Sequence, residues 1–100
     1  MKYNKLVRDK IPEIIKKKGE KCKVHIANDK EYWGKLKEKL QEEIEEFSEN
    51  ETIEEIADIL EIVDAICDYK KFNEKKLEIV KKNKAKERGR FKKKIILEES

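Results

Sequence analysis

Acidic and apolar residues interleave at helical spacing through the middle of the chain. Residues 40–47 read Leu-Gln-Glu-Glu-Ile-Glu-Glu-Phe, and residues 54–61 read Glu-Glu-Ile-Ala-Asp-Ile-Leu-Glu. In both stretches the apolar residues recur every three or four positions, which is the period of one face of an α-helix. Carboxylates beside a buried face must be neutralised. The pattern therefore predicts two packed helices whose acidic residues share a counter-charge.

The remaining periodicity predicts four helices in all, at about residues 11–18, 30–47, 53–69 and 74–88. Each helix begins or ends at residues suited to a helix terminus. These residues are Pro12 and Gly19 for the first helix, Asn28 or Asp29 for the second, Thr52 with Glu55 for the third, and Asn73 and Gly89 for the fourth.

Two short segments alternate as strands do. Residues 21–27 place Cys22, Val24 and Ile26 on one side, and residues 91–97 read as a second strand that could pair with the first. Two strands alone are marginal unless helices cover them. We therefore predict a mainly α fold, an antiparallel helical bundle with a small two-stranded sheet from residues 21–27 and 91–97.

The length of 100 residues suits one domain spanning residues 1–100. Because the third helix is apolar over much of its circumference, we expect it to be the most buried. We also expect a homodimer or higher homo-oligomer built on the second and third helices. The two cysteines make no disulfide framework, and no segment reads as a membrane span or a signal peptide. These features predict a cytoplasmic protein with no membrane partner.

The net charge of +3 hides an uneven distribution. Acidic residues crowd positions 38–68, whereas lysine and arginine crowd residues 16–18 and 81–94. An acidic centre attracts cations and basic flanks attract phosphate, so a metal–phosphate ligand suits this chain. Charged faces that are simply solvated explain the same distribution without a ligand.

Two carboxylate pairs have the spacing needed for a shared metal site. At about 100° per residue, Glu43 and Glu46 lie one turn apart on the same edge of the second helix's apolar stripe. Glu55 and Asp58 form a matching pair on the third helix, and the short connection makes the two helices antiparallel neighbours. Oxygen ligands alone select Mg²⁺, with Mn²⁺ as a substitute. The alternative is that these residues are surface carboxylates paired with neighbouring lysines.

The whole pattern resembles a known family. Glu42-Glu43-x-x-Glu46 followed by Glu55-x-x-Asp58 resembles the MazG-like, all-α nucleoside triphosphate pyrophosphohydrolases. Residues 3–12, Tyr-Asn-Lys-Leu-Val-Arg-Asp-Lys-Ile-Pro, look like the opening of a small stand-alone branch of that superfamily, which is regarded as predicted house-cleaning enzymes for noncanonical nucleotides. The ending Lys86-x-Arg88-Gly89-x-Phe91 also fits that branch, so the resemblance spans nearly the whole chain.

The resemblance implies a role for particular residues. Its implied Mg²⁺ ligands are Glu43, Glu46, Glu55 and Asp58, its catalytic carboxylates are Glu42 and Glu43, with Glu42 in a supporting role, and its phosphate-binding residues are Arg8, Lys10, Lys86 and Arg88. In such enzymes an activated water attacks the metal-bound triphosphate, giving nucleoside monophosphate and pyrophosphate. A second Glu-x-x-Asp spacing, Glu61 with Asp64, could supply the second ligand pair instead.

Two other functions stay open on the sequence. Phosphoribosyl-ATP is the main alternative substrate within the superfamily, which would make the chain a phosphoribosyl-ATP pyrophosphatase. A non-enzymatic helical module, pairing between subunits or with nucleic acid, is the alternative from another class. Nucleic acid is the less favoured partner because the basic C-terminal helix has no interleaved aromatic residue except Phe91. Trp33 begins the apolar stripe and should pack, whereas Tyr32 is a candidate base contact.

Overall fold

The computed structural model describes residues 4–100, and this part of the chain is mainly helical with no strand. The helices are α1 (Ile11–Lys17), α2 (Asp29–Glu49), α3 (Ile53–Lys70) and α4 (Glu74–Arg88). The predicted mainly α fold is therefore confirmed, and each helix lies within two residues of its predicted bounds.

The helix ends follow the local sequence. The side chain of Asn28 accepts a hydrogen bond from the backbone N–H three residues on, at 2.9 Å, and Thr52 does the same at 3.4 Å. Asn73 accepts two backbone N–H groups at the start of α4, at 2.8 and 3.1 Å. Gly89 follows the last residue of α4 with φ +82°, a backbone conformation that glycine adopts without strain. The predicted caps of α2, α3 and α4 are confirmed.

Among the described residues, α2 and α3 form the one extensive contact between helices. Trp33, near the start of α2, stacks on Tyr69, near the end of α3, with ring centroids 5.0 Å apart and planes inclined by 7°. Glu43, farther along α2, lies close to Glu55 at the start of α3. The helices are therefore antiparallel, as predicted, and Trp33 packs between them. Tyr32 meets the edge of Tyr69 with centroids 5.8 Å apart.

The predicted two-stranded sheet is wrong. Residues 21–27 and 91–97 have irregular backbone. Their apolar side chains lie largely in solvent, since Ile26 is 94% exposed and Phe91 is 98% exposed. Isolated strand pairs are marginal in water, and no helix covers the exposed side of either segment. The alternation records only a preference for a half-buried surface, and the described chain provides no such surface here.

Little of the chain is buried. Leu36 of α2 is the one buried apolar side chain among the described residues, and α3 contains no buried residue. The prediction that α3 is the most buried helix is therefore wrong for a single chain, because α2 covers only one side of it. From Lys70 to Ser100 every residue except Ala85 is exposed. No helix in the described range is both long and apolar enough to cross a membrane.

Candidate metal centre

Neighbouring parts of α2 and α3 carry an acidic cluster, which we define as Glu42, Glu43 and Glu46 of α2 with Glu55 and Asp58 of α3. The cap at Thr52 fixes where α3 begins, so Glu55 lies in the first turn of α3. Since the helices are antiparallel and joined by a short turn, this first turn lies beside the later half of α2.

Glu43 is the centre of the cluster. One carboxylate oxygen from each of Glu42, Glu43 and Glu46 lies within 4.8 Å of the others, and the same holds for Glu43, Glu55 and Asp58. Mg²⁺ binds oxygens at about 2.0–2.1 Å, so two ligand oxygens of one ion lie at most about 4.2 Å apart. Side-chain rotations that draw these carboxylates together by a fraction of an ångström to about 1 Å would let them share an ion. The structure therefore brings together every carboxylate that the sequence predicted as a ligand.

Two oxygens in the cluster are buried without a hydrogen-bond partner. Glu43 is only 6% exposed, and its Oε1 lies 3.3 Å from Lys39 Nζ. Its Oε2 and Oε2 of Glu55 have no partner. A buried polar atom left unsatisfied costs roughly 1–3 kcal/mol, and a charged one costs more. A cation bound between α2 and α3 would satisfy both oxygens.

The pKa of Glu46 is raised from its ordinary value. Burial is the largest cause, and the close approach of the Glu43 carboxylate and the negative charges of Glu43, Glu55 and Glu42 add to it. Each of these effects disfavours the ionised form of Glu46. The acidic cluster therefore holds more negative charge than its own lysine neighbours neutralise.

Glu42 has the opposite behaviour. Partial burial alone would raise its pKa, but the charges and hydrogen bonds of Lys39 and Lys5 together outweigh burial and lower it. Lys39 Nζ and Lys5 Nζ each lie 3.4 Å from Glu42 Oε1. Glu42 therefore stays ionised at the edge of the cluster, where it can accept hydrogen bonds.

The segment before α1 brings cations to the other edge of the cluster. Arg8 Nη2 donates a hydrogen bond to Asp58 Oδ1 at 2.7 Å, and Arg8 Nη1 lies 3.7 Å from Glu61 Oε1. Arg8, predicted to bind phosphate, thus lies directly beside a predicted metal ligand. Sequence reasoning missed Lys5 as a site residue. It named Lys39, with Lys35, as a lysine that could pair with Glu43, Glu46 and Asp58 if these were surface carboxylates, and the ion pair between Lys39 and Glu43 is present.

The other predicted phosphate-binding residues do not reach the acidic cluster. Lys10 is exposed just before α1, and Lys86 and Arg88 are exposed in the last turn of α4. Within residues 4–100, none of the three forms an ion pair with a carboxylate of the cluster. Lys86 and Arg88 form no such ion pair because α4 does not pack extensively on either of the helices that carry the cluster.

The second Glu-x-x-Asp spacing lies outside the cluster. Glu61 faces Arg8 with its side chain 54% exposed, and Asp64 is exposed. Neither belongs to the groups that could hold a metal ion among the described residues. The geometry thus favours Glu55 and Asp58 as the partners of Glu43. His25 belongs to neither group, and its Nε2 lies 3.0 Å from Oε1 of Glu31.

Comparisons with known proteins leave the family of the chain open. No protein-family model matches it, and no solved structure matches it. It is similar to an uncharacterized protein from Mycolicibacterium smegmatis, with 43% identity over 47 residues, or 47% of this chain. The chain spans about half of that relative, 48% of its length. The description of that relative assigns no activity.

Proposed function

We propose that this chain is a Mg²⁺-dependent, MazG-like nucleotide pyrophosphohydrolase. It would cleave a nucleoside triphosphate, ordinary or noncanonical, to nucleoside monophosphate and pyrophosphate in the cytoplasm. The observation that carries the proposal is Glu43, a buried carboxylate with an unpartnered oxygen that belongs to both groups of converging carboxylates. In an acidic face that is simply solvated, the carboxylates would stay hydrated, because burying a charged oxygen without a partner costs free energy.

The donor set supports Mg²⁺, with Mn²⁺ as a substitute. Glu43, Glu46, Glu55 and Asp58 supply only oxygen atoms, which hard divalent cations prefer. The raised pKa of Glu46 and the unpartnered oxygens of Glu43 and Glu55 identify negative charge in need of a cation. When bound, Mg²⁺ would supply Lewis-acid stabilisation of phosphate charge and would lower the pKa of a bound water.

The other groups of the site suit binding and orientation. Because the pKa of Glu42 is lowered, its carboxylate is a weak base that stays ionised and can orient a water by accepting its hydrogen bond. Arg8 donates one hydrogen bond to Asp58 and forms an ion pair with Glu61. A guanidinium can also donate two hydrogen bonds to the oxygens of a phosphate. Lys5, beside Glu42, adds a second positive charge at the edge of the cluster. These cations can hold the distal phosphates of a triphosphate.

The proposal is tested by pyrophosphate release with Mg²⁺ from a panel of ordinary and damaged nucleoside triphosphates. Glu55→Gln should remove the activity, because it takes away a ligand charge while keeping the shape of the side chain. Glu45→Gln and Glu54→Gln are matched controls, since both residues are exposed on the same helices outside the acidic cluster. Both controls should keep full activity.

Two outcomes would replace this function. Release from phosphoribosyl-ATP and from no nucleoside triphosphate would make the chain a phosphoribosyl-ATP pyrophosphatase, with the same metal site. Release from no substrate, with melting curves that Mg²⁺ leaves unchanged, would favour the non-enzymatic helical module. We also propose that the chain functions as a homodimer, because a single chain leaves so much of α3 and α4 uncovered.

A further inference from the structure

The side of α3 that faces away from α2 carries an apolar stripe, which we call the outward stripe: Ile53, Ile56 and Leu60. These side chains are 79%, 39% and 57% exposed. At about 100° per residue they lie roughly opposite Glu55 and Asp58 on the helix. The outward stripe is therefore separate from the acidic cluster and is uncovered in the single chain.

A second apolar surface lies on α4. Leu77 and Val80, which we call the α4 strip, are 40% and 43% exposed and share one face of the helix. Most of the stability of a helix in a protein comes from packing its apolar face against another element rather than from the intrinsic helix propensity of its residues. Helix α4 has 15 residues and packs extensively on no other helix of the described chain. It therefore needs a surface to cover the α4 strip.

The exposed area is large enough for a partner of substantial size. The chain exposes 9935 Å², whereas a compact monomer of its mass exposes about 6000 Å². Its radius of gyration is 17.8 Å, against about 13 Å for a compact domain of this length. The difference in area is several times the roughly 800 Å² that each partner buries in a standard interface. A second copy therefore finds ample surface to bury.

The charges around the two apolar surfaces are complementary. Residues 38–68 contain 13 Asp and Glu against one Lys, and residues 69–97 contain 13 Lys and Arg against three Glu. Asp64 and Asp68 flank the outward stripe, and Lys81 and Lys84 share a face with the α4 strip. Opposite charges around apolar surfaces fix the orientation of a partner and disfavour like-charged pairings.

We propose that two copies of this chain form a two-fold dimer in which α4 of each copy packs on the outward stripe of the other. A two-fold axis makes each copy both donor and acceptor of the same contact, so both apolar surfaces are covered at once. Only residues 71–73 join α3 to α4, yet α4 does not lie along α3 of its own chain. Packing α4 of each copy on the other copy covers the outward stripe and the α4 strip, which the single chain leaves exposed. This arrangement does not depend on the proposed enzymatic activity.

The first test is the mass of the full chain in solution by sedimentation over a range of concentrations. The expected mass is about 24 kDa for the two-fold dimer, twice the 12.0 kDa of the chain. Leu60→Glu combined with Leu77→Glu should raise the dissociation constant about tenfold or more. Ile26→Glu is the matched control, because Ile26 is equally apolar, is 94% exposed and lies outside both surfaces. A monomeric wild type, or equal weakening by the control, would overturn the proposal.

The second test exchanges charges between copies. Lys81→Glu/Lys84→Glu and Asp64→Lys/Asp68→Lys should each be monomeric, because like charges then face each other in both contacts. An equimolar mixture should regain the dimer mass, since a heterodimer has opposite charges in both contacts. A mixture that stays monomeric while both variants keep their helical circular dichroism would show that α4 does not exchange. Monomeric wild type with salt-sensitive binding to DNA or RNA would overturn the dimer and would instead assign the lysines of α4 to nucleic acid.

Discussion

Replacing Glu43 by glutamine should change stability in opposite directions with and without Mg²⁺. The substitution keeps the shape of the side chain and removes one negative charge from the most buried position of the acidic cluster. Without metal, glutamine relieves the repulsion between Glu43 and its acidic neighbours, and its NH₂ group can donate where the carboxylate only accepted. The amide oxygen can lie beside Lys39 Nζ, which forms an ion pair with Glu43 Oε1 at 3.3 Å in the wild type.

The size of the stability change without metal follows from two opposing contributions of the Glu43 carboxylate. The unsatisfied Oε2 of Glu43 costs about 1–3 kcal/mol. The ion pair with Lys39 is largely buried, with side chains 16% and 7% exposed. Because Lys39 keeps its ion pair with Glu42 at 3.4 Å, losing the charge of Glu43 leaves no unpaired lysine and should cost only about 1 kcal/mol. The variant should therefore be more stable than the wild type by about 1 kcal/mol without metal, which raises Tm by about 4–8 °C for a domain of this size.

With Mg²⁺ the wild type should be more stable than Glu43→Gln. A ligand at 100 times its dissociation constant stabilises the native state by about 2.7 kcal/mol, and Glu43→Gln should lose most of that gain. The assay is thermal melting of both proteins in EDTA and in a Mg²⁺ titration, with Glu45→Gln as the control. The control should follow the wild type in both conditions. If Glu43→Gln melts lower in EDTA and shifts with Mg²⁺ as the wild type does, Glu43 is only the ion-pair partner of Lys39 and the metal site is wrong.

Three further predictions concern neighbouring residues. The pKa of Glu46 is raised in the fold, so the stability that Glu46 contributes without metal is present at low pH and is lost as pH rises through that pKa. Glu46→Gln should therefore reduce the fall in Tm between acidic and neutral pH. An unchanged slope of Tm against pH would contradict this prediction. Arg8→Gln should raise KM for the triphosphate by about tenfold or more. The same variant should bind Mg²⁺ more tightly in calorimetry, because Arg8 no longer competes with the ion for Asp58. Weaker Mg²⁺ binding would refute that competition. Thr52→Ala should cost about 1 kcal/mol by removing the cap of α3 and should weaken Mg²⁺ binding, whereas Thr52→Ser should restore both.

Local chemistry in the sequence was sufficient for the helices and for the pairing of carboxylates. The capping side chains of Asn28, Thr52 and Asn73 act within two or three residues of themselves, so the ends of α2, α3 and α4 could be predicted without any tertiary contact. The helical period likewise placed Glu43 with Glu46, and Glu55 with Asp58, on single helix faces. The short turn between α2 and α3 then made the convergence of these carboxylates predictable.

Contacts between distant parts of the chain were not predictable in this way. Arg8 meets Asp58 across 50 positions, and Lys5 meets Glu42 across 37, and no local pattern marks either pair. The tertiary structure also distinguishes the two copies of the Glu-x-x-Asp spacing, because Glu55 and Asp58 converge with Glu43 whereas Glu61 lies half-exposed beside Arg8.

The position of each helix and the acidic residues that share a face were predictable without tertiary contacts, because capping and helical periodicity are set by residues a few positions apart. The packing of the helices was needed to show that residues 21–27 and 91–97 form no sheet and that α3 is covered on one side only. Alternating or apolar residues record a preference for burial, but burial needs a second surface. Whether the chain supplies that surface is decided by how its helices pack, and here α2 covers one side of α3 while α4 covers neither.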